Sequence, residues 1–142
     1  MDQTILVNEQ IAEGKQLLDR LREAGFPVTA AGWIWESERS QWYLYVVSPI
    51  VEDEGRGIAY RRIHAVVRQM PQGFSIEPLD VMAVGLHQPL GEAMLDLYRR
   101  QPGRSSYRLG NTRFGDVEIE GAYIYPPVAV ADQTDGQRSG VK

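Results

Sequence analysis

The 142-residue chain has no cysteine and two histidines, His64 and His87. Disulfides, thiolate nucleophiles and thiolate-bound zinc or iron–sulfur clusters are thereby excluded by inventory, and imidazole chemistry has two sources at most. Lysine is scarce as well, two against thirteen arginines. Genome composition can produce that bias, so the position of an arginine carries more information than its identity. No stretch approaches the roughly 20 consecutive apolar residues of a membrane-spanning helix. The first ten residues, MDQTILVNEQ, have no basic segment followed by an apolar run. A soluble, cytoplasmic protein with no membrane partner is expected. Phosphate-cradling P-loops, GxGxxG, HExxH, GxSxG and calcium-loop patterns are all missing, which removes the best-defined catalytic mechanisms. No cofactor and no metal is implied, and no catalytic residue is assigned.

What remains is ordinary globular material. Hydrophobic residues make up 43% and charged residues 24%, too apolar a mixture for a disordered chain. The length suits one domain that buries roughly two thirds of its unfolded surface. The net charge of −4 is unevenly spread. Residues 1–59 carry −5, residues 60–113 carry +4 and residues 114–142 carry −3, and every basic residue of the middle block is arginine.

Residues 3–24 place Leu6 or Val7, Ile11, Leu18 and Leu21 at helical spacing, and AGFP then supplies a glycine stop and a proline. Gly14 weakens this first helix. The next stretch, GWIWESERSQWYLYVVSP, holds all three tryptophans and two of the seven tyrosines. Its β-branched and aromatic residues around a short polar run read as a hairpin. A loop centred on Arg39 and Ser40 puts Trp35 opposite Leu44, Trp33 opposite Val46 and Ser37 opposite Trp42. One face then carries Trp33, Trp35, Ser37, Trp42, Leu44 and Val46, and the other carries Ile34, Glu36, Tyr43, Tyr45 and Val47. The tryptophans read as core, so that Trp42→Ala is expected to cost roughly 3–5 kcal/mol. Tyr43 and Tyr45 suit either a second packed layer or an exposed interface, and they are the interface candidates.

A loop, VEDEGRG, precedes a second helix whose buried stripe is Ala59, Ile63, Val66, Val67 and Met70. The strand LDVMAVGL and a third helix from Pro89 through Leu90, Met94, Leu97 and Tyr98 follow. In YRLGNTRFGDVEIEGAYIYPP, Gly110 and Asn111 suit a tight turn, and alternation places Val117, Ile119, Tyr123 and Tyr125 on one face of the returning strand. Residues 128–142 have little to bury and read as a disordered tail. The expected fold is one α+β domain over residues 3–127, in the order α-β-β-α-β-α-β-β. Its sheet is expected to be largely antiparallel, with helices packed mainly on one face.

Two features suggest chemistry. Arg61, His64 and Arg68 form a polar stripe on the second helix, spaced to hold a phosphate or carboxylate, although solvated stripes are also the normal exterior of such helices. A turn at Gly110 and Asn111 would set Arg108 opposite Arg113, a like-charge pair that an anion would relieve. Asp116, Glu118 and Glu120 alternate along the last strand, where neutralising the arginines, holding a hard cation or simply facing solvent would each explain them; the last needs least. His87 reads as a loop residue. The expected function is a non-enzymatic protein-interaction module, a homo-oligomer or a small subunit of a larger assembly. The alternative is an anion-binding protein or phosphoester enzyme using Arg61, His64, Arg68, Arg108 and Arg113. The overall acidity disfavours a broad nucleic-acid footprint.

Overall fold

The computed structural model describes residues 8–36, 38–100, 107–114 and 117–125. The residues proposed as a C-terminal tail, with Ser37 and Asp116, lie outside them. The elements run α1 (Asn8–Glu23), β1 (Ala30–Glu36), β2 (Gln41–Val47), α2 (Ile50–Asp53), α3 (Arg56–Arg68), β3 (Val81–Val84), α4 (Pro89–Arg100), β4 (Tyr107–Phe114) and β5 (Val117–Ile124). A turn of 3₁₀ helix, Pro78–Asp80, leads into β3. The fold is α+β, as the alternation of periods implies.

The strands form one sheet in the order β3-β2-β1-β5-β4. Pairings β1–β2, β1–β5 and β4–β5 are antiparallel, whereas β2–β3 is parallel. The sheet is therefore mixed, and the expectation of a largely antiparallel one is corrected. The cause is the α2–α3 crossover, which carries the chain back to start β3 in the direction of β2, as parallel neighbours require.

Strand alternation then divides the core in two. Ala31, Trp33, Leu44, Val46, Val81, Ala83 and Tyr125 face Leu17, Leu18 and Leu21 of α1 and Ala59, Ile63, Val66 and Val67 of α3. Ala30, Ile34, Tyr43, Tyr45, Val47, Ala122 and Ile124 lie on the other face with Met94 and Leu97 of α4. Strands β1 and β2 thus bury both sides, which is why apolar residues run almost continuously through them.

Two hairpins differ from expectation. In the first, Trp33 pairs with Leu44, Trp35 with Trp42 and Glu36 with Gln41, two residues tighter than a loop centred on Arg39 and Ser40. The Arg39 N–H donates to the Glu36 carbonyl at 3.2 Å, and Ser40 takes φ 50° to complete the reversal. An even shift preserves the division of side chains between faces. In the second, Gly110 and Asn111 lie inside β4, with Gly110 paired to Gly121, Arg108 to Tyr123, Arg113 to Glu118 and Phe114 to Val117. The chain reverses after Phe114, and Arg108 and Arg113 are five positions apart on one strand instead of facing each other.

Candidate functional site

Only one of the three tryptophans is core. Trp33 is 1% exposed, and its indole N–H donates to the Tyr125 hydroxyl at 3.0 Å. That hydroxyl donates in turn to the Ile11 carbonyl at 2.6 Å, tying β1, β5 and α1 together. Burial above all raises the Tyr125 phenol well above its ordinary value.

Trp35 and Trp42, one pleat further toward the hairpin turn, are only half-buried. They pair edge to face, with ring centroids 5.8 Å apart. The Trp42 ring reaches across β1 onto β5, where a β-carbon on Gly121 would stand 3.3 Å from its Cη2 atom. Gly121 in turn pairs with Gly110, so two glycines continue the row that the two indoles begin. The Trp42 Nε1 donor is screened from solvent and has no acceptor among the described residues. At the same end of the sheet, the Gln41 side chain donates to Asp80 at 2.7 Å and anchors the 3₁₀ turn, where Leu79 is 79% exposed. Two half-covered indoles packed on each other and on a glycine of β5 make this row the candidate site, while Leu79 stands on the β3 side of β2.

Tyr43 and Tyr45 are 7% and 9% exposed and belong to the second core layer, so the packed arrangement, not an exposed patch, is the one they adopt. Their hydroxyls sit in a polar network at the hairpin end. Tyr45 donates to Glu36, and Arg39 lies over the Tyr43 ring at 5.5 Å and donates to its hydroxyl at 3.4 Å. Burial, then the bond to Glu36, raises the Tyr45 phenol above its ordinary value. Burial and these local bonds consume the chemistry of both tyrosines within the chain.

The five anion candidates are divided between α3 and β4. Arg61 and Arg68 are exposed on α3 and make no ion pair with a described residue, while His64 between them is half-buried with a screened Nε2 that has no partner among the described residues. The ring of His64 lies 5.7 Å from that of Tyr60. Arg108 and Arg113 are in β4, at the opposite edge of the sheet from β3, against which α3 packs. Four strand spacings of about 4.8 Å put roughly 19 Å between those edges.

Reading from the sequence missed three further contacts. Tyr60 guards the β3 edge: its hydroxyl accepts from the Ala83 N–H at 3.1 Å and donates to the Met82 sulfur at 3.9 Å. Arg62 stacks over Phe26 at 5.4 Å and donates to the Gly25 carbonyl at 3.3 Å. Glu52, part of the acidic run expected in a loop, lies on α2 and accepts from the N–H groups of Leu86 and His87. Each joins residues more than 20 positions apart, so no local spacing announces it. His87 is an exposed loop residue, as its setting between strand and helix implies. No helix among the described residues is long and apolar enough to cross a membrane. Comparison with protein-family models, with curated proteins and with solved structures finds no match, so the chain is assigned to no family.

Proposed function

We propose that the protein is an interaction module, a homo-oligomer or a small subunit of a larger assembly, that docks through the Trp35 and Trp42 corner. The observation that carries this reading is the Trp35 and Trp42 pair, two large rings packed edge to face and left partly uncovered at the hairpin end of the sheet. Tryptophan is also the side chain most enriched at the energetic centres of interfaces, where a large apolar body and one polar handle suit a boundary that alternates between wet and dry. The short, capped β3 edge fits a module that excludes edge-to-edge pairing on that side.

Sedimentation of the purified chain, with and without proteins that co-purify with it, tests the reading. Association that Trp35→Ala weakens by roughly tenfold or more supports it. A strict monomer with no co-purifying protein, or assembly unaffected by Trp35→Ala, overturns it.

A second reading keeps only part of the arginine surface. Arg61 and Arg68, lacking ion pairs with described residues and flanking His64, suit a small phosphorylated or carboxylated ligand on α3. It predicts a thermal shift with phosphorylated small molecules that Arg61→Ala abolishes and rising salt weakens. No such shift in the wild type rules it out.

A further inference from the structure

We propose that Glu52 is a charge-dependent strap that holds the start of α4 on the sheet, so that the cover over the second apolar layer loosens when its carboxylate is protonated. The geometry begins where the parallel strands β2 and β3 end side by side. The Ser48 N–H donates to the Val84 carbonyl at 3.0 Å, and the chain after β2 turns directly into α2. From there Glu52 reaches the loop that launches α4. Its Oε1 accepts the Leu86 N–H at 3.2 Å and its Oε2 accepts the His87 N–H at 2.9 Å.

The loop is built to receive the carboxylate. A β-carbon on Gly85 would overlap the Glu52 side chain, and one on Gly91 would overlap the Gly85 carbonyl, so both glycines allow close approach. The Gln88 side chain closes the turn by accepting the Gly85 N–H at 2.6 Å, and the Glu92 N–H donates to the Gln88 carbonyl at 2.8 Å as α4 begins. Beyond this point α4 lays Met94, fully buried, and Leu97 onto the layer formed by Ile34, Tyr43, Tyr45 and Val47. One exposed side chain from the crossover therefore clasps the end of the helix that covers this layer.

Charge is what makes the clasp double. An ionised carboxylate offers both oxygens as acceptors, whereas a protonated one becomes partly a donor and cannot serve two N–H groups equally. The His87 N–H bond above all, with the Leu86 N–H and the charge of the His87 side chain, holds Glu52 below its ordinary value against the opposing effect of desolvation. His87 is the titratable side chain that acts on it from the loop, and Asp53 and Glu54 are its neighbours in sequence. A carboxyl lowered on folding favours the clasped state above its unfolded value, near about 4.3 for glutamate, and loses that contribution as pH falls through the folded value. The loosening belongs to that acidic window. It is independent of the docking corner, which lies at the other end of β2.

Native-state hydrogen exchange on the full chain tests the strap, read as protection factors so that the intrinsic pH dependence of exchange cancels. Protection of residues 94–97 is expected to fall roughly threefold to tenfold between about pH 7 and about pH 3.5 while α1 and α3 hold theirs. In Glu52→Ala the same loss should already be present at about pH 7. Glu52→Gln, which keeps one acceptor without the charge, should resemble Glu52→Ala. Equal α4 protection in the wild type and Glu52→Ala near neutrality overturns the strap, and it decides the matter even if the wild type unfolds as a whole in acid. Wild-type protection in Glu52→Gln overturns its dependence on charge.

Discussion

The Tyr125 hydroxyl occupies the space that a side chain on Gly14 would fill. A β-carbon at Gly14 would overlap that oxygen and stand 2.9 Å from the Trp33 indole nitrogen. A glycine that costs the isolated helix roughly 1 kcal/mol relative to alanine thus admits a buried bond network linking α1, β1 and β5. The weak point of the helix is where the sheet plugs into it.

Gly14→Ala should therefore destabilise despite its better helix propensity, by roughly 1–3 kcal/mol from overpacking. Urea melts measure it. The cost should shrink in a Tyr125→Phe background, where the overlapping oxygen is gone; additive effects of the two substitutions would separate Gly14 from Tyr125.

Tyr125 also sets an alkaline limit. Its phenol is raised on folding, so its contribution is intact below the unfolded phenol value near about 10 and is lost as pH rises through the folded value. Urea midpoints are expected to hold to about pH 10 and decline above it. Tyr125→Phe should start lower, since it leaves the Trp33 N–H buried without its acceptor at a cost of roughly 1–3 kcal/mol, and should decline less steeply. Parallel wild-type and variant curves would contradict this.

The three tryptophans should separate in stability. Trp33→Ala should cost roughly 3–5 kcal/mol, as loss of a fully buried large ring does. Trp42→Ala should cost roughly 1–3 kcal/mol, since its ring is half-covered and rests on glycine, which revises the larger cost expected for a fully packed Trp42. Equal losses at the two positions would place Trp42 in the core.

That revision shows where local pattern stops being informative. Alternation through WIW and WYLYVV assigns each side chain to a face, but it fixes register only to within two residues, and the turn chemistry at Glu36 to Ser40 decides the rest. Depth along a face depends on how far the covering helices reach. Hence the half-covered rings are Trp35 and Trp42, while Tyr43 and Tyr45 are packed. Gly110 and Asn111 carry a turn signal, yet Gly110 sits inside a strand opposite another glycine. The four-residue α2 is too short for a period to declare it and its stretch reads as loop, whereas β3 is legible in LDVMAVGL but its parallel pairing with β2 is not. Helices α1, α3 and α4 span three turns or more, and their apolar stripes were readable.

Tyr60→Phe should uncover the outer edge of β3. Exchange of the Ala83 amide should quicken by roughly threefold to tenfold, with stability lowered by about 0.5–1.5 kcal/mol, because its N–H loses the phenol oxygen. An unchanged Ala83 exchange rate would mean that other groups cover that edge.

The docking corner is tested most directly by the indole N–H resonances of the three tryptophans, followed by nuclear magnetic resonance across the concentrations, or the additions of a co-purifying protein, at which sedimentation detects association. The expected result is that the Trp35 and Trp42 indole signals shift together as the complex covers their rings, and that Trp33, already buried and bonded to Tyr125, stays in place. Association that leaves the Trp35 and Trp42 signals where they were, or no association at all, would contradict the assignment of this corner as the interface.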